Sequence, residues 1–189
     1  MKIIICPGIH EPELTTSFII GGLNLEHDRF SPPNLEDILV FPGEGILAVS
    51  AFHILQFLRL HLQDSELKSP VIFISFSAGV VGAITAATEW QLLGGHVKAF
   101  IAIDGWGMPL WGDFPIHRLS HDYFTHWSSA ILGSGQDNFY ADPPVEHLSM
   151  WRSPQTVQGQ WVDQSMGFPP SIKSLSAAEF LHLLLKRYD

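Results

Sequence analysis

Several short runs of Ile, Val and Phe in this chain are apolar at successive positions, so strands built from them must be covered on both faces. Lys2–Cys6, Ile38–Phe41, Val71–Ser75 and Lys98–Ile103 read this way, with weaker strands at Pro115–Leu119 and near Asn138–Ala141. Strands buried on both sides belong to parallel sheets flanked by helices, and parallel neighbours need crossover connections long enough to hold a helix. The stretches between the runs supply such helices. Gly45 to Gln63 carries Leu47, Ala51, Ile54, Leu55, Leu58 and Leu62 at helical spacing, and Ala78 to Leu93 is small-residue-rich and stopped by Gly94-Gly95. A last helix starts at about Ser176, an N-cap with Glu179 three residues on, and runs to Lys186-Arg187 at its cation-favouring end. The predicted class is therefore α/β, with a mostly parallel sheet of about six strands.

With 189 residues, 46% hydrophobic and 15% charged, the chain suits one domain spanning residues 1–189. Ten Lys and Arg against nineteen Asp and Glu give a formal charge of −9, and no basic stripe offers a track for phosphates, which argues against nucleic acid as a partner. Cys6, the only cysteine, excludes an intrachain disulfide and a cysteine-cluster zinc site. The apolar start is too short for a secretory signal, and no run approaches the ~20 residues of a membrane span. A cytoplasmic location is the expectation. Between Gly105 and Gly167 the periodicity weakens while Gly, Pro, Trp and His are dense, and loops of such length usually carry function.

The most informative stretch runs from Pro70 through Ser75-Phe76-Ser77-Ala78-Gly79 to Gly82-Ala83, a buried strand turning tightly into a small-residue helix. Its core matches the nucleophile elbow G-x-S-x-G with serine in place of the first glycine. The middle residue of an elbow sits in a strained turn, so its neighbours two positions either side must be small where the backbones approach. On these residues the chain resembles the α/β-hydrolase superfamily, and among its members the small bacterial lipases and esterases that lack a cap domain. The resemblance spans most of the chain and implies a three-layer fold without a cap, the connection from Asp104 to Pro115 being too short to hold one.

It also implies a serine hydrolase that cleaves a small-molecule carboxylic ester or thioester through an acyl-enzyme, with no metal or organic cofactor. Ser77 would be the nucleophile, followed in chain order by an acid and a histidine. A serine hydroxyl needs a base to take its proton, and the histidine needs a carboxylate to fix its tautomer. Of ten histidines, His10, His27, His53 and His61 precede the serine, His96 follows the glycine stop, and His182 lies in the last helix. Among His117, His121, His126 and His147 the resemblance favours His147, in the loop after the last weak strand. For the acid, family position points to Asp122, with Asp104, at the end of the strong strand Ala99–Asp104, as the rival. Asp142 reads as a loop cap. Oxyanion donors would be the backbone N–H groups of Ala78 and of Ile9, with His10 as the alternative to Ile9.

Trp106, Met108, Leu110, Trp111, Trp127, Met150 and Trp151 flank the strand ends, either to receive an apolar acyl group or to pack loops onto the sheet. Two other readings compete. His117, His121, Asp122 and His126 crowd into ten residues and could hold a metal. The fold could also serve binding alone, since fold does not dictate function. The discriminating feature is whether one Asp and one His reach Ser77 together.

Overall fold

The computed structural model describes residues 1–23, 34–43, 45–62, 69–133, 135–163 and 171–189. Its centre is an eight-stranded sheet in the order β2-β1-β3-β4-β5-β6-β7-β8. The strands are β1 (Lys2–Cys6), β2 (Ile38–Val40), β3 (Val71–Phe76), β4 (Val97–Ile103), β5 (Ile116–Ser120), β6 (Asp137–Ala141), β7 (Gln158–Asp163) and β8 (Ser171–Ser176). The six strands expected from the sequence are all present and mutually parallel. The sheet is larger than the expected six because β7 and β8 extend it antiparallel beyond β6.

Alternate residues of the central strands serve opposite faces. Ile3, Ile5, Ile72, Ile74 and Ile101 join a core with Leu14 and Phe18 of α1 (Pro12–Phe18), Trp151 of α5 (Ser149–Arg152) and Phe180 and Leu184 of α6 (Ala177–Tyr188). Ile4, Cys6, Phe73 and Phe100 join the other, under α2 (Ala51–His61) and α3 (Gly79–Leu92). The expected helix from Gly45 begins as a 3-10 turn over Gly45–Val49 before α2, and Gln63 lies outside the described residues. α3 closes tightly on its surroundings because it is rich in Gly and Ala: a Cβ on Gly82 would lie 2.7 Å from the Val49 carbonyl carbon. The Ser176 cap of α6 is a reciprocal capping box, with Glu179 N–H donating to Ser176 Oγ at 3.2 Å and Ser176 N–H donating to Glu179 Oε2 at 2.7 Å.

Strand order reverses at β1, which has β2 on one side and β3 on the other. In open parallel sheets the crevice outside the carboxyl ends of the strands at such a reversal is where ligands bind. Here that crevice lies between the loop after β1 and the turn after β3. Among the described residues no helix is long and apolar enough to cross a membrane.

Candidate functional site

Because β1 and β3 to β6 are parallel, their carboxyl ends deliver five segments to one edge: Pro7–His10, Ser77-Ala78, Asp104-Gly105, His121-Asp122 and the loop bearing His147. Ser77 follows β3 directly with φ 51°, and Asp104 follows β4 with φ 51°, the two non-glycine residues in the left-handed region among those described. Such backbone is costly for a side-chain-bearing residue and persists only where its surroundings enforce it. Both turns are held from the next strand, Ser77 N–H donating to Ile103 O at 2.9 Å and Asp104 N–H to Leu119 O at 2.8 Å.

Small residues let the segments approach. A Cβ on Gly8 would lie 2.8 Å from Phe76 O and 3.1 Å from Ser77 Cβ, so the Pro7–His10 loop rests against the serine's turn. A Cβ on Gly79 would lie 2.4 Å from Cys6 O and 2.6 Å from Pro7 O, both backbone atoms with no room to yield. Gly79→Ala is accordingly expected to destabilise the protein by about 1–3 kcal/mol, read as a lowered urea midpoint. An unchanged midpoint would refute this account of the packing. The N–H groups of Ile9 and Ala78 have no acceptor among the described residues, and Ala78 stands at the positive end of α3.

The acid on the histidine is Asp104. His147 Nδ1 lies 2.8 Å from Asp104 Oδ2, and the backbone N–H of His121 donates to Asp104 Oδ1 at 2.9 Å. Asp122, the residue that family position favours, is occupied elsewhere. It is the N-cap of α4 (Tyr123–Ala130), with Oδ1 accepting from Thr125 N–H at 2.6 Å. Asp122 lines the same cleft, but the histidine it approaches is His121, with Oδ2 3.6 Å from His121 Nε2, too long for a hydrogen bond.

Ser77, Ala78, Asp104, His121 and His147 share a cleft of about 520 Å³. Ser77 Oγ lines this cleft and makes no hydrogen bond, to His147 or to any other of the described residues. Asp104 is buried, whereas the side chains of His121 and His147 are 26% and 40% exposed, so both rings are open to the cleft. The Asp104 carboxylate raises the His121 imidazole above its ordinary range. A larger cleft, about 980 Å³, is lined by the loop from Pro7 to Pro12, by Phe41 and by Leu148, the residue after His147.

The His147 ring is further placed by stacking. Phe76, the residue before the serine, stacks on it at 4.8 Å and 19°, Trp151 stacks on Phe76 at 4.8 Å and 16°, and Phe18 stacks on Trp151 at 3.8 Å and 7°. Sequence reasoning assigned Phe76 no part in the site. Its place beside Ser77 at the end of β3 is the signal that could have found it. Of the residues flanking the strand ends, Trp106 and Met108 line the smaller cleft, while Met150 and Trp151 are core. Arg118 pins the loop above the cleft, donating to Gly133 O at 2.8 Å and Met108 O at 3.1 Å.

His117 and His126 do not line the cleft that holds Ser77. His117 is fully buried, its Nε2 is 2.7 Å from Tyr188 Oη, and burial pushes its pKa down to about 4. His126 stacks on Tyr140, and burial lowers its pKa too. The crowded set His117, His121, Asp122 and His126 is thus dispersed: the group of ligand-bearing side chains that does converge among the described residues is Asp104, His121 and His147. His27 lies outside the described residues. Scanned against protein-family models and searched against curated proteins, the chain matches none.

Proposed function

We propose that this protein is a serine hydrolase with an α/β-hydrolase fold, cleaving a small-molecule carboxylic ester or thioester through an acyl-enzyme. The observation that carries the reading is the bonded pair His147–Asp104, 2.8 Å apart, in the cleft that also holds Ser77 at its left-handed strand-to-helix turn. The chain order Ser77, Asp104, His147 is the order such hydrolases use.

Asp104 accepts the Nδ1 proton of His147, which leaves the Nε2 lone pair free to act as base. His147 Nε2 takes the Ser77 hydroxyl proton as Oγ attacks the carbonyl carbon, and the N–H groups of Ala78 and Ile9 receive the oxyanion. Collapse of the tetrahedral intermediate expels the alcohol or thiol, which takes the proton from His147. Water then attacks the acyl-serine with His147 again as base. Each step needs only these residues, the substrate and water. The connection between β4 and β5 is too short to hold a cap domain, and the apolar walls of the larger cleft suit an acyl chain.

Steady-state assays with p-nitrophenyl esters of graded acyl length and with an acyl thioester test the reading. Turnover by the wild type that falls to background in Ser77→Ala is the expected result. Equal rates in the two proteins would sink it.

A further inference from the structure

We infer that Asp104, His121 and His147 form a binding site for a first-row divalent ion of the Zn²⁺ type, and that the ion disables His147 as a base. The inhibitory role rests on the serine-hydrolase reading; ion binding does not.

Each of the three side chains offers one ligand atom, and these atoms lie within 4.8 Å of one another. Two imidazoles and one carboxylate form a donor set suited to borderline divalent ions rather than to Mg²⁺ or Ca²⁺. Tetrahedral zinc with bonds of about 2.0–2.1 Å spaces its ligand atoms by about 3.3 Å. His147 Nδ1 and His121 Nδ1 already lie 2.8 and 3.1 Å from the two oxygens of Asp104, so closure around an ion asks for side-chain adjustment alone.

A second observation points the same way. His121 Nδ1 is buried and lies 3.1 Å from Asp104 Oδ1 without an aligned hydrogen bond, so a second imidazole nitrogen is aimed at the carboxylate that His147 already meets. The His121 backbone N–H holds the Asp104 carboxylate in place at 2.9 Å, the kind of outer support that orients metal ligands. The cleft of about 520 Å³ gives the ion a way in and room for a water as fourth ligand.

The consequence for His147 follows from its proton count. A neutral imidazole carries one proton and one free lone pair. When Nδ1 gives its lone pair to the metal, the proton must sit on Nε2. No lone pair remains to accept the Ser77 proton. Metal ligand and general base are mutually exclusive on this ring.

The test titrates Zn²⁺ into the metal-free full chain by calorimetry and measures the rate of fluorophosphonate labelling with and without zinc, each variant compared with its own metal-free rate. One tight ion per chain is expected, weakened at least about tenfold in His121→Asn and in Asp104→Asn. His96→Asn, exposed before the start of β4 and so at the other end of that strand, should bind as the wild type does. Zinc should slow wild-type labelling, a chelator should restore the rate, and His121→Asn should lose most of the slowing. Should Asp104→Asn fail to fold, the half-buried His121 position reads the same site. Zinc affinity equal in wild type and His121→Asn would overturn the site. Tight binding with unslowed labelling would overturn the inhibitory role. No labelling of the metal-free protein would defeat the hydrolase reading and with it that role, while the calorimetry still decides the ion site.

Discussion

Asp104→Asn is expected to lower ester turnover by about 10⁴-fold while leaving the cleft intact. The carboxylate accepts the His147 Nδ1 proton at 2.8 Å, so it dictates which nitrogen faces the serine. An asparagine can instead present its NH₂ to Nδ1, forcing the ring proton onto Nε2, where it blocks the base. The variant keeps the volume of the buried side chain, and its carbonyl oxygen can still accept from His121 N–H. Asp122→Ala separates the two aspartates. Losing the cap of α4 should cost about 1 kcal/mol of stability with turnover within a few-fold of wild type. Parallel kinetics and urea denaturation on the two variants check this, and a collapse of turnover in Asp122→Ala with near-normal Asp104→Asn would reverse the assignment.

The second large effect belongs to a residue outside the chemistry. Trp151→Ala should destabilise the protein by about 3–5 kcal/mol, since Trp151 is fully buried between Phe18 and Phe76 and its loss opens a cavity in a close-packed core. Turnover should fall as well, because Phe76 then loses the support that holds it against the His147 ring. Trp151→Phe keeps a ring in the stack and discards an indole N–H that has no partner among the described residues, so it should retain most of both stability and turnover. Calorimetric melting and kinetics on the pair check the idea. Equal losses in the two variants would show that the stack itself does not matter.

How much of this was legible in the sequence depended on which faces of each element are covered. The parallel strands announce themselves because both faces are buried, as the fully buried β3 shows. The strands β7 and β8 were missed because a sheet-edge hairpin needs cover on one side only, and residues such as Gln158, Gln160, Lys173 and Ser174 break the apolar run. The helix α4 defeats a periodicity reading outright. It buries Thr125, His126 and Ser129 and exposes Tyr123, Phe124 and Trp127, the reverse of an ordinary amphipathic pattern. Missing that helix hid the role of Asp122, whose position before it is a cap signal.

The candidate site was readable to the extent that local rules govern it. Ser77 stands out because an elbow is a local strand–turn–helix pattern, and His147 because the family resemblance puts the histidine in the loop after the last parallel strand. The choice of Asp104 is a matter of neighbouring strands. β3 and β4 pair Phe76 with Ile103, which places the residues after them side by side, and only the sheet order reveals this. The approach of His121 to the same carboxylate comes from β5 pairing with β4 and has no local signature.

Intact-protein mass spectrometry after fluorophosphonate treatment tests the central claim, that Ser77 is a nucleophile activated by His147 and Asp104. The account predicts one adduct per chain, mapped to Ser77, absent in Ser77→Ala and formed far more slowly in His147→Ala. A folded wild type that takes up no probe, or an adduct on another residue, would contradict it.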